Sequence, residues 1–424
     1  MNRAASQPPE ARGLTRDGVR LLAATPDGLV HARFRDLPRF LAPGDLLVVN
    51  TSATLAAALP AQRAGGRAVT VHLSNQLDNG TWLVELRQGQ VTPRRLSDGV
   101  PGEVITLPGG GSVTLLQPYP DPAATRIWEA VVTTGGGPVH GYLARHGQPI
   151  RYSYVPGRWP LTAYQTVFAH SPGSAEMPSA ARPFTADLVT RLIAAGVVIA
   201  PITLHTGVAS LEAGEAPLPE WFEVPQPTAD LVNLTRAAGR RVIAVGTTCT
   251  RALESAVAQS TGQAGAADDP ADGAVDGAVD GAVDDPGEGT REGAVAARRG
   301  WTSLVLGPQH PARVVTGLIT GWHEAGASHL ALLEAVAGRT LVEASYREAE
   351  AAGYLWHEFG DSCLLLPPVP VTRVPVTRVT VPRVTVPRLT GARAGGPGQS
   401  AGGAAGSQRL MQPSSSSVST GLVT

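Results

Sequence analysis

At 424 residues, with a formal net charge of -1 and two cysteines, the chain is too long for one ordinary domain and too poor in cysteine for a disulfide scaffold, a zinc site or a redox motif. All 34 basic residues are arginine, which excludes a lysine Schiff base and a Walker-type phosphate loop, since both need an ammonium group. The amino terminus has no apolar signal core and no run of about 18 apolar residues occurs, so the expectation is a cytoplasmic protein with no membrane partner.

The near-neutral total hides segregation. Nine acids within 261–292 (Asp268, Asp269, Asp272, Asp276, Asp280, Asp284, Asp285, Glu288, Glu292) face only Arg291. The segment 367–424 carries Arg373, Arg378, Arg383, Arg388, Arg393 and Arg409 and no acid. The remainder is close to neutral, so binding of nucleic acid requires a local patch.

In chain order, residues 1–15 read as a disordered N-terminus. DLLVVN at 45–50 follows the turn Pro43-Gly44 and reads as a buried strand. Short alternating runs follow, VTVHL at 69–73, TWLVEL at 81–86, EVITL at 103–107, SVTLLQ at 112–117 and IWEAVVTT at 127–134, divided by Asp78-Asn79-Gly80 and Pro108-Gly109-Gly110-Gly111. They predict a small antiparallel sheet or barrel over 67–135, inserted into a larger α/β domain made of 16–66 and 136–366.

Within that domain, Thr185-Ala186-Asp187-Leu188-Val189 opens a helix with Leu188, Val189, Leu192 and Ile193 on one face, ended by Gly196 before VVIAPITL. Thr228-Ala229-Asp230-Leu231-Val232 opens another, ended by Gly239 before RVIAVG, and both threonines are expected N-caps. The pattern predicts parallel strands with crossover helices. The period-four repeat DGAVDGAVDGAVD marks 261–298 as an acidic low-complexity insertion. Further helices are expected near 328–337 and up to Gly353, then the strand CLLL at 363–366. Proline, glycine and serine make 367–424 a disordered basic tail, either simply solvated or touching an RNA backbone.

Five places can carry chemistry. In VIAVGTTCTRALES, residues 242–255, a strand turns at Gly246 into a helix opened by Thr247 or Thr248, which aims backbone N–H groups and hydroxyls at a carboxylate or phosphate, with Arg251 and Glu254 one turn on. The same words suit an ordinary capped helix with an Arg–Glu surface pair. His205 in Thr203-Leu204-His205 and His323 in Gly321-Trp322-His323 follow apolar runs, where imidazoles can act as acid or base or merely hydrogen-bond. Tyr164-Gln165-Thr166 and Gly360-Asp361 are polar breaks beside apolar runs. The histidines do not pair with cysteines or acids at ligand spacing, so no metal is expected.

Taken in order, Pro43-Gly44-Asp45-Leu46-Leu47-Val48-Val49-Asn50, Tyr164-Gln165-Thr166-Val167-Phe168-Ala169, Pro172-Gly173-Ser174, Thr203-Leu204-His205, Gly246-Thr247-Thr248 with Arg251, Leu253 and Glu254, His323 and Gly360-Asp361 resemble the S-adenosylmethionine:tRNA ribosyltransferase-isomerases. The resemblance spans about 16–366 outside the acidic insertion. It implies an α/β domain carrying a six-stranded barrel, a monomer, and S-adenosylmethionine as co-substrate. The implied reaction moves the ribosyl group onto 7-aminomethyl-7-deazaguanine in tRNA, releasing adenine and methionine and leaving epoxyqueuosine. On that basis His205, Arg251 and His323 are the catalytic candidates, and Tyr164, Gln165, Gly246, Thr247, Thr248, Glu254 and Asp361 the substrate-binding ones.

The chain departs from the family's phrases at three places. Asn50 is followed by Thr51-Ser52-Ala53-Thr54-Leu55 instead of Asp-Thr-Arg, and 178–184 reads Pro-Ser-Ala-Ala-Arg-Pro-Phe where the family has a histidine. A histidine-rich phrase before Glu223 is shortened to Pro217-Leu218-Pro219-Glu220-Trp221-Phe222. Two other readings therefore stay open: an S-adenosylmethionine-dependent transfer to a different acceptor, and a binding or scaffold protein on the same fold.

Overall fold

The computed structural model describes residues 3–89, 94–208, 218–258, 293–323 and 328–368. Most of the acidic insertion and the basic tail from 369 onward lie outside the described residues.

A nine-stranded sheet organises the chain, in the order Arg298–Thr302, Glu220–Val224, Val198–Leu204, Leu46–Asn50, Val242–Val245, Gly317–Gly321, Ser362–Leu365, Arg20–Thr25 and Gly28–Arg33. Its four strands from Val198–Leu204 to Gly317–Gly321 run parallel, with Val198 opposite Leu46 and Leu46 opposite Val242. The strands flanking them on either side are antiparallel. This is the expected α/β fold with crossover helices.

The period of two along Leu46–Asn50 explains the layering. Leu46 and Val48 pack with Ala229, Val232, Cys249, Leu253 and Leu333 from the helices Gln226–Ala237, Thr247–Ser255 and Ser328–Ala337. Leu47 and Val49 pack on the other face with Leu188 and Leu192 of the helix Ala186–Ala194 and with Phe34 and Phe184. A strand apolar from Leu46 to Val49 is thus covered on both sides.

Local expectations fare unevenly. Thr185 caps its helix, accepting from the Leu188 N–H at 3.1 Å, but Ile193 is 58% exposed and outside the buried face. Thr228 is not an N-cap: that helix starts at Gln226, and the Thr228 hydroxyl donates to the Pro201 carbonyl at 2.6 Å, tying helix to strand. Nor is the N-terminus disordered from residue 3 on. Arg3–Ala4 pairs with Leu355–Trp356, Arg12 donates to the Phe359 carbonyl at 2.8 Å, and Glu10 meets the buried Arg182 at 2.9 Å. Composition missed this because the anchors, a strand pairing, a hydrogen bond to a carbonyl and an ion pair, all join residues far apart in the chain. The expected end of the insertion at 298 is also too late, since Val295 is buried and Asn233 binds its backbone on both sides.

The antiparallel runs close into a six-stranded barrel, Ala58–Gln62, Ala68–Gln76, Trp82–Gln88, Val104–Thr106, Ser112–Tyr119 and Ile127–Thr133, with Arg94–Arg95 added outside. Ala58–Gln62 belongs to it although it precedes the expected boundary at 67. Closure comes from Ile127–Thr133 pairing with Trp82–Gln88, which leaves neither strand with an open edge there. Its core is Leu59, Val71, Val84, Leu86, Val113, Trp128 and neighbours.

Candidate active site

The parallel strands Leu46–Asn50, Val198–Leu204, Val242–Val245 and Gly317–Gly321 all end on one edge of the sheet, the usual place for a site in an open α/β fold. His205 follows the second of them. Its Nδ1 lies 2.8 Å from the Ser52 hydroxyl, which in turn lies 2.6 Å from the Ser174 hydroxyl. Its ring stacks on Trp221 with centroids 5.3 Å apart. A Cβ at Gly173 would come within 2.5 Å of that ring, so only glycine admits it. Burial, with His140 adding, lowers the His205 imidazole to about 4 and keeps it neutral at physiological pH.

His323 follows the fourth parallel strand. Its Nε2 is 3.1 Å from the Thr320 hydroxyl, its N–H donates to the Tyr346 hydroxyl at 3.3 Å, and its ring lies flat on His329 at 4.4 Å. Burial drives its imidazole well below the usual histidine range, and His329 and His357 push the same way.

Between them, after Val242–Val245, Gly246 takes φ 96°, a left-handed value that suits glycine, and opens the helix Thr247–Ser255. The Thr248 hydroxyl is buried and makes no hydrogen bond. Arg251 is held inside the protein, donating to Glu220, to the Leu304 carbonyl at 3.2 Å and to the Thr302 carbonyl at 3.0 Å. Its acid partner is thus Glu220 and not Glu254. Glu220 also accepts from the Gly207 N–H at 3.0 Å, which joins Arg251 to the His205 loop, while the Arg251 charge acts on His329 beside His323.

Three other candidates are engaged by the fold. Glu254 accepts the N–H groups of Arg313, Val314 and Val315, each at 2.9 Å. Asp361 clamps Arg20 and the Leu355 N–H. Gln165 pairs both ways with the Thr54 backbone, at 2.9 and 2.8 Å. Tyr164 differs: it is 3% exposed and its hydroxyl has no hydrogen-bond partner.

A family model described as queuosine biosynthesis protein matches residues 1–365. The chain belongs to this family. The S-adenosylmethionine:tRNA ribosyltransferase-isomerase of Moorella thermoacetica is 32% identical over 378 residues, covering 85% of this chain and 96% of that protein. The enzyme of the same name from Novosphingobium aromaticivorans is 33% identical over 365 residues, covering 83% and 94%. A crystal structure of S-adenosylmethionine tRNA ribosyltransferase from Thermotoga maritima is 25% identical, covers 86% of this chain and 96% of that one, and superposes with a TM-score of 0.42.

In this member of the queuosine biosynthesis family, the departures from the family's phrases have local work. Thr51 bonds Ile202 and Thr203, Ser52 meets His205, Arg182 anchors Glu10, and Glu220 and Trp221 brace Arg251 and His205. Sequence reasoning missed Ser52, Ser174, Glu220 and Trp221, whose partners are distant in the chain, and His329, which stacks on His323 six residues before it. Among the described residues no three His, Cys, Asp or Glu are arranged to hold a metal ion, and no helix is long and apolar enough to cross a membrane.

Proposed function

We propose that this chain is a cytoplasmic transferase that moves and isomerises the ribosyl group of S-adenosylmethionine onto 7-aminomethyl-7-deazaguanine in tRNA, giving epoxyqueuosine, adenine and methionine. The observation that carries the reading is identity of about a third, across nearly the whole length, to enzymes named for this reaction. His205 and His323 at the sheet edge support it. A proton must leave the carbon beside the sulfonium, and the departing adenine must gain one.

His205, neutral and with its Nδ1 engaged by the Ser52 hydroxyl, is the first proton carrier. His323 is the second proton carrier. Gly246, Thr247 and Thr248 offer a helix N-terminus to the methionine carboxylate or a phosphate. Arg251 acts through Glu220, holding the 207 loop and the 302–304 backbone in place, and is a positioning residue.

Purified protein given S-adenosylmethionine and tRNA carrying the aminomethyl base should release methionine and adenine, and His205→Ala and His323→Ala should each lower turnover about 10²–10⁴-fold. Turnover at the wild-type rate in both variants removes these roles. S-adenosylmethionine consumption without a modified tRNA product points instead to another acceptor, and no binding of S-adenosylmethionine to a scaffold.

A further inference from the structure

The alternation that fills the barrel also builds a cavity on its outside. Leu59 and Val71 lie in the barrel core, so Pro60 and Gln62, with Thr70 opposite Pro60 and His72 opposite Ala58, belong to the outer face. Gln148 and Pro149 stand over this face as a wall, held by two backbone hydrogen bonds between Ala58 and Gln148, each at 2.9 Å. Arg151 stiffens the turn beyond, donating to the carbonyls of Val155, Pro156 and Gly157 at 3.4, 3.0 and 3.2 Å. The small residues Ala58, Ala61, Ala68 and Gly89 leave a cavity of about 520 Å³ between strands and wall, within the size range of small-molecule sites.

The lining specifies the chemistry of an occupant. Its floor is apolar, from Pro60, Ala61, Val69 and Leu107. Around the floor stand the amides of Gln62 and Gln148 and the hydroxyls of Thr70 and Thr106. His72 adds an imidazole that burial lowers and keeps neutral, with Nδ1 3.7 Å from Glu85. The lining includes Arg151 and Arg158 and no carboxylate, so an anion placed here meets no like charge at the wall. An apolar floor edged by neutral donors and acceptors suits a nucleobase, whose edge pairs with amide side chains once it is unstacked and splayed out.

The barrel strand Ala68–Gln76 runs from this cavity to the candidate active site. Thr70 and His72 line the cavity; further along, the Ser74 hydroxyl accepts the Val208 N–H and the Asn75 amide donates to the His205 carbonyl, both at 3.0 Å. His72 and Asn75 are three strand residues apart, roughly 10 Å, a gap that a short stretch of single-stranded RNA spans. None of the residues given a role in the reaction lines the cavity.

We propose that this cavity binds one unpaired nucleotide of the RNA substrate, other than the nucleotide that is modified. The choice of RNA rests on the proposed function; a free mononucleotide has the same chemistry, and the test separates the two sources.

The test is calorimetric binding to the full chain of tRNA carrying the aminomethyl base, of the four ribonucleoside 5′-monophosphates, and of S-adenosylmethionine. Thr70→Trp fills the cavity from an outward strand position, and Gln148→Ala removes one amide. Thr70→Trp should weaken tRNA binding about tenfold or more and Gln148→Ala about threefold or more, with S-adenosylmethionine affinity unchanged. If melting shows that Thr70→Trp does not fold, the double variant Gln62→Ala, Gln148→Ala decides by the same tenfold loss. A monophosphate held by wild type with Kd below about 1 mM and lost in the deciding variant, at unchanged tRNA affinity, overturns the RNA assignment in favour of the free nucleotide. No difference between wild type and the deciding variant for any of these ligands, or an equal loss of S-adenosylmethionine affinity, overturns the site. Cavity-dependent tRNA binding without methionine release breaks the proposed reaction and leaves the site standing; methionine release with unchanged binding in the deciding variant does the reverse.

Discussion

The barrel and the α/β domain each bury acids, and they treat them in opposite ways. In the barrel, Glu85 is fully buried, accepts from Arg87 Nε at 2.7 Å and Arg126 Nε at 2.8 Å, and lies 3.7 Å from His72. Burial alone would raise its carboxyl, but the neighbouring His72 and the two guanidiniums hold it down to about 2. In the α/β domain, Glu358 accepts from the Tyr154 phenol and burial raises its carboxyl. A buried acid matched by two cations stays ionised, whereas one bonded to a phenol is pushed toward its neutral form.

The largest expected effect tests the barrel half of this contrast. Glu85→Ala takes the carboxylate from between two buried guanidiniums and should cost about 3–5 kcal/mol in denaturant unfolding. The sign with pH follows from the depressed carboxyl. The stabilisation is present above the unfolded value near 4.5 and is lost as pH falls toward 2, so the variant should show a weaker acid transition. A loss under about 1 kcal/mol would erase the distinction between the two clusters.

How far the sequence disclosed these regions follows from the range of the interactions. Strand alternation is local, so five of the six barrel strands and the buried strand at Leu46–Asn50 are legible from apolar spacing. Ala58–Gln62 escaped because ALPAQ carries a proline and does not alternate cleanly, yet Pro60 sits opposite Thr70 in the ladder. Thr185 was legible as a cap because its partner is three residues away; Thr228 was not, because its partner Pro201 lies on another strand. The candidate site divides the same way. His205 and His323 sit at strand ends, as position alone suggested, whereas the partners that define them, Ser52, Trp221, Thr320 and Tyr346, are contributed by folding. Arg251 and Glu254, read as a pair on one helix, part company because each finds a stronger partner across the sheet edge, Glu220 for one and three backbone N–H groups for the other.

A second, smaller effect tests the α/β domain. The His205 imidazole sits at about 4, lowered by burial and then by His140, against about 6.5 in an unfolded chain. Between those values the unfolded chain binds a proton that the folded one refuses. Stability is therefore complete above about 6.5 and falls as pH drops toward 4, by an amount on the order of 2–3 kcal/mol. His205→Asn should make the fall in melting temperature across that window shallower than in wild type, the remainder coming from His323 and the other histidines lowered by burial. If the wild-type transition is already flat from pH 6.5 to 4, the ring is hydrated and the α/β domain is not the desolvated counterpart of the barrel.

The smallest effect separates the two regions most sharply, because its sign is reversed. Tyr164 has a hydroxyl buried without a hydrogen-bond partner, and such a group loses its hydration on folding and gains nothing in exchange. Tyr164→Phe keeps the ring, which packs at 5.1 Å from Phe359, and removes only the orphaned hydroxyl. Unfolding measurements should show no loss and a gain of up to about 1 kcal/mol, while ligand affinity in the α/β domain falls. Stabilisation with weakened binding would mean that this hydroxyl is held in reserve for a ligand, the opposite of Glu85, whose removal costs stability. A destabilised Tyr164→Phe would show that the hydroxyl is satisfied in solution and place it with the barrel's structural polar groups.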